Sequence, residues 1–74
     1  MNEKINDYDV VALLTDLPDE GLTIGQTGAI VMTHNDGEAF EVEFVLQPRK
    51  SIVATVYRNQ LLKLKGLGYP AKAG

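Results

Sequence analysis

The chain has no cysteine, no tryptophan, a single serine (Ser51) and a single histidine (His34) among its 74 residues. Without thiols there is no disulfide framework, no zinc knuckle and no thiol nucleophile, and a reducing cytoplasm is the natural setting. One serine and one histidine leave little from which to build a nucleophile, a base and a group to orient it. No apolar run approaches the roughly 20 residues needed to cross a bilayer. The opening Met1-Asn2-Glu3-Lys4-Ile5-Asn6-Asp7 carries charge and amides where a signal peptide needs an apolar stretch. A cytoplasmic, unprocessed protein is expected.

Bases are also missing over most of the chain. All ten acids lie between Glu3 and Glu43, and Lys4 is the only base in that span, so Met1 to Leu46 nets -9. From Gln47 onward six bases and no acid give +6. The simplest account is that antiparallel strands pair an acidic half with a basic half across the sheet. A strongly acidic face is the alternative it leaves open.

What is present fits one small globular domain. Hydrophobic content is 45% and charged content 23%, which argues against wholesale disorder. A chain of this size buries only about 60% of its unfolded surface, so a thin core does the stabilising.

Alternation and turn residues predict strands throughout. Tyr8 to Leu17 forms the first, with Val10, Ala12 and Leu14 on one side and Val11 and Leu13 on the other. Pro18-Asp19-Glu20-Gly21 stops it, proline removing a donor and Gly21 allowing positive φ. Gly25-x-x-Gly28 reads as a barrel corner feeding a second strand, Thr27 to Thr33. A phosphate-cradling loop would need a helix to follow, and Ala29-Ile30-Val31-Met32 is strand-like. His34-Asn35-Asp36-Gly37 is a hairpin turn.

The third strand places Phe40, Val42 and Phe44 on one face, with Glu38, Glu41 and Glu43 off it. Leu46 to Lys50 makes a longer hairpin loop. Ser51 to Tyr57 sets Ile52, Ala54 and Val56 against Val53, Thr55 and Tyr57, and Arg58-Asn59-Gln60 forms a 3-10 turn before a last strand, Leu61 to Leu64. The predicted fold is all-β, a five-stranded antiparallel SH3-like barrel whose closure removes exposed edges. It spans residues 8–64, after a lead-in of 1–7 and before a flexible tail of 65–74 in which Leu67 and Tyr69 are an apolar pair able to dock.

Asp9-Val10-Val11-Ala12-Leu13, Asp16-Leu17-Pro18, Gly21-Leu22, Gly25-x-x-Gly28, Asp36-Gly37-Glu38-Ala39-Phe40-Glu41-Val42-Glu43-Phe44 and Gln60-Leu61 together resemble a family of short bacterial proteins. That family is domain of unknown function 4926, and the likeness covers Tyr8 to Leu64. It departs from the pattern at Leu46 to Lys50, where an acidic, glycine-containing turn is expected. Similar patterns occur in other SH3-like barrels, including KOW-type modules. The resemblance implies a stand-alone partner-binding protein, antitoxin-like, encoded beside small ribonuclease-like proteins.

Three functional classes follow. Catalysis fares worst: His34 is expected as a solvated turn residue, and the paired carboxylates Glu41 and Glu43 lie on an open strand face rather than in a cleft. Asp36 and Glu38 are too few ligands for a hard cation, and no cofactor is expected. Nucleic-acid binding would need Arg49, Lys50, Arg58 and Lys63 to cluster, against a pI near 4.9. A protein-binding module is favoured, its acidic surface attracting a basic partner through Asp36, Glu38, Glu41 and Glu43, with Asp19 and Glu20 next. A core this small also gains from an extra interface, so self-association is compatible with the sequence.

Overall fold

The computed structural model describes residues 4–47 and 50–65. The expected docking of Leu67 and Tyr69, the tail beyond Lys65 and the position of Arg49 lie outside them. Five strands follow in order: β1 (Val10–Leu13), β2 (Thr27–His34), β3 (Ala39–Gln47), β4 (Lys50–Tyr57) and β5 (Leu61–Lys63). They form one antiparallel sheet in the order β4-β3-β2-β1-β5. The described residues contain no α-helix, and a 3-10 turn at Arg58–Gln60 precedes β5, as the sequence predicts.

The sheet is not closed. β4 pairs only with β3 and β5 only with β1. The expectation that closure removes the edges is therefore corrected: β5 is three residues long and its neighbour across the gap is reached through the 3-10 turn, not through a ladder.

Each strand contributes one side to a single core. Val11 and Leu13, Ile30, Phe40, Val42 and Phe44, Ala54 and Val56, and Leu61 meet there with Leu22 and Ile5. The alternation read from β3 and β4 holds, since Phe40, Val42, Phe44 and Val56 are all fully buried while Val53 and Tyr57 are exposed. With no α-helix among the described residues to lie over this face, the sheet itself wraps the core, helped by Ile5 and by Leu22.

Local backbone chemistry explains where strands begin and end. β1 starts two residues later than expected because Tyr8 is left-handed (φ 73°) inside a turn in which the Asp9 carboxylate accepts the Asn6 N–H at 2.7 Å. It ends at Leu13, where the chain bonds to Gly25 and Gln26 before bending away. Leu17, expected in the strand, instead pairs with Leu22 across a 3-10 turn at Pro18–Glu20 that Gly21 terminates at φ 75°. The Asn35–Gly37 turn places Asn35 (φ 49°), Asp36 (φ 57°) and Gly37 (φ 94°) in the left-handed region, which these residue types tolerate. The longer loop expected at Leu46 to Lys50 is corrected, since the ladder continues to Gln47 opposite Lys50.

The two glycines of the corner act for different reasons. Gly25 needs its positive φ of 90° and has open space around it. Gly28 faces the core opposite Val11, and a Cβ there would lie 2.7 Å from the Glu43 carbonyl oxygen and 2.8 Å from side-chain atoms of Val42 and Phe44. Backbone cannot give way as a flexible side chain can. Gly28→Ala is expected to destabilise by about 1–3 kcal/mol through overpacking, read as a lower denaturant midpoint in equilibrium unfolding. A variant as stable as the parent would show that the corner yields.

Candidate interaction surface

The outer face of the sheet is built by the side chains that the core does not take. On β3 these include Glu41, Glu43 and Val45, opposed on β4 by Thr55, Val53 and Ser51. On the β2 side Glu43 faces Ala29 and Glu41 faces Met32. No base stands opposite either glutamate. The pairing of an acidic half with a basic half is seen at Asp9 and Lys63, 3.3 Å apart, which joins β1 to β5.

Two hydroxyls and an imidazole contact the two carboxylates instead. Thr55 Oγ1 donates to Glu41 Oε2 at 3.1 Å, and the same oxygen lies 3.0 Å from His34 Nε2. Ser51 Oγ donates to Glu43 Oε2 at 3.0 Å. The lone histidine and the lone serine of the chain thus both turn onto this acidic pair. His34 is not the solvated turn residue expected: it ends β2, its side chain is 37% exposed, and it reaches diagonally across the ladder to Glu41, which is 29% exposed. Two residues of strand rise set Glu41 and Glu43 about 7 Å apart on one face.

Exposed apolar side chains surround them. Val45, Val53, Tyr57 and Met32 are all more than half exposed. Three belong to the outward sides of β3 and β4, and Met32 lies opposite Glu41 just after a bulge in β2. The outer face thus combines two carboxylates with exposed apolar side chains on the neighbouring positions.

Asp36 and Glu38 extend this surface to the end of the sheet. With Lys4, Asp7 and Arg58 they line an open groove of about 830 Å³ whose floor includes Phe40. Glu38, expected off the Phe40 face, lines that groove because its backbone is still helical (φ −84°, ψ −28°) and strand alternation does not yet apply. Met32 lines the groove as well as facing Glu41, so groove and strand face adjoin. Asp19 and Glu20 are elsewhere. They sit in the connection that enters β2 at Thr27, whereas Asp36 and Glu38 follow its other end at His34.

Of the four bases that nucleic-acid binding would need to cluster, the three described residues stand apart. Lys50 and Arg58 flank opposite ends of β4, and Lys63 is engaged by Asp9 and by the Lys4 carbonyl at 3.1 Å. Among the described residues no three His, Asp or Glu side chains come together as a metal-binding group, and no helix is long and apolar enough to cross a membrane.

A double-mutant cycle measures the brace on Glu41. His34→Ala, Glu41→Gln and the double variant should give a coupling of about 0.3–1 kcal/mol in unfolding free energy, the range of a half-exposed pair. Strictly additive effects would mean that the contact is not maintained in solution.

No curated protein and no solved structure matches the chain. The match comes from a family model, described as domain of unknown function (DUF4926), over residues 7–61. Those residues take in β1 to β4, the 3-10 turn and the first residue of β5, and with them the glycine corner and the acidic strand. The chain therefore belongs to the DUF4926 family.

Proposed function

We propose that this protein is a non-catalytic protein-binding module that docks a basic partner on the outer face of β3 and the turn before it. The observation that carries the reading is the state of Glu41 and Glu43: adjacent, part-shielded, held by Thr55, His34 and Ser51, and with no lysine or arginine among the described residues opposite them in the ladders. A carboxylate pair already oriented on a rigid strand and rimmed by Val45, Val53, Tyr57 and Met32 suits a cationic patch with apolar surroundings. Asp36 and Glu38 would continue the contact into the groove.

The partner implied by the family resemblance is a small ribonuclease-like protein encoded next door. An enzyme that handles phosphate must present positive charge at its site, and an acidic strand laid over it would mask that site in the manner of an antitoxin. The nucleic-acid alternative relied on Arg49, Lys50, Arg58 and Lys63 clustering; of the described three, Lys50 and Arg58 lie at opposite ends of β4 and Lys63 is engaged by Asp9.

Co-expression with the neighbouring gene product tests the reading. A complex is expected whose affinity falls as salt rises, and reversing both Glu41→Lys and Glu43→Lys should weaken it by at least about tenfold, or 1.4 kcal/mol, while circular dichroism stays unchanged. Equal affinity in the reversed variant would place the interface elsewhere, and no complex at low salt would end the proposal.

A further inference from the structure

The open sheet leaves β4 as an edge, and its hydrogen-bonding groups can be assigned. The Arg58 N–H donates to the Glu38 carbonyl at 3.0 Å. Antiparallel ladders alternate every residue between pairs that exchange hydrogen bonds and pairs that do not. In this register the residues opposite Phe40, Val42 and Phe44, namely Val56, Ala54 and Ile52, turn their backbone groups toward β3. Ser51, Val53, Thr55 and Tyr57 turn theirs to the free side. Tyr57 bears this out, since its N–H is taken by Gln60 Oε1 at 2.9 Å. Three residues, Ser51, Val53 and Thr55, are left with N–H and C=O groups that β3 does not use, and all three are exposed.

Natural edges are protected by charge, proline or shortness. The β5 edge has two of these devices, three residues and Lys63. From Ser51 to Tyr57, β4 has none: the segment Ser-Ile-Val-Ala-Thr-Val-Tyr carries no charge and no proline.

We infer that this edge pairs with the same edge of a second copy, as an antiparallel two-fold dimer centred on Val53. That register places Val53 opposite Val53, Ser51 opposite Thr55 and Ile52 opposite Ala54 of the second copy. It uses every free backbone group at positions 51, 53 and 55 and leaves the engaged N–H of Tyr57 out of the ladder. A β-branched pair such as Val53 with Val53 is among the cross-strand neighbours that stabilise sheets. Charge decides against the alternative centre. Pairing about Ala54 would set Lys50 against Arg58 of the second copy, whereas pairing about Val53 sets it against Val56. The acidic strands do not oppose the dimer, because the two β3 strands are then three spacings, about 14 Å, apart, beyond the screening length of about 8 Å at physiological ionic strength.

This inference does not rest on the proposed partner. Edge pairing leaves Glu41 and Glu43 on the outer face, so a dimer could still bind a basic protein, and the test needs only this chain. Light scattering at increasing concentration should show the mass doubling. Amide exchange should be slowed at Ser51, Val53 and Thr55 under the same conditions and released on dilution. Val53→Lys, which sets two ammonium groups face to face on the axis at an exposed position, should abolish the doubling. A monomer at the highest soluble concentration overturns the inference. So does a dimer whose three amides exchange as fast as in the dilute protein, or a folded Val53→Lys variant that still doubles. Should that variant fail to fold, the exchange of the parent's amides decides alone.

Discussion

A sheet with no α-helix among its described residues to cover it buries one face around its own side chains, and the tightest approach within that packing is at Gly28. There the β2 backbone approaches β3 so closely that the Glu43 carbonyl and the Val42 and Phe44 side chains occupy the space of a Cβ. Phe40, Phe44, Leu13, Leu22 and Ile30 are all fully buried in a chain this short, so close packing such as this carries much of its thin core. Its consequences reach the outer face: the same curvature that gathers Phe40, Val42 and Phe44 inside presents Glu41, Glu43 and Val45 outside, on a strand fixed from both sides by β2 and β4.

Core and surface are thus two readings of one alternation. The outward residues of β3 have no freedom to choose their direction, because a shift of one residue would expose two phenylalanines. What varies is who stands beside them. Here the neighbours are hydroxyls, a histidine and apolar groups, and no lysine or arginine among the described residues stands opposite the acidic pair in the ladders.

Much of this was legible in the chain itself. The period of two through Phe40, Val42 and Phe44 and through Ile52, Ala54 and Val56 fixes inside and outside without any tertiary information. Pro18, Gly21, Asp36-Gly37 and Arg58-Asn59-Gln60 mark their turns by residue type. The pattern could not show that Tyr8 is left-handed, because a tyrosine adopts that region only when a particular hydrogen-bonded turn demands it. Nor could it reveal the contact of His34 with Glu41. That is a diagonal neighbour across a ladder, and it depends on a register that includes the irregularity between Ile30 and Met32. The failure of the ends to join is likewise a matter of how β4 and β5 approach, which no local period encodes.

The hydroxyl brace on the glutamates has an entropic side. A glutamate free to rotate loses on the order of 1.5–2 kcal/mol of rotamer freedom when a ligand fixes it. Thr55, His34 and Ser51 all bond to Oε2, so the side chains are already oriented while each carboxylate keeps a second oxygen for an incoming cation. Much of the ordering is therefore done during folding. A ligand arriving at this strand would meet a template rather than two mobile chains, and its binding would draw less on enthalpy to offset disorder.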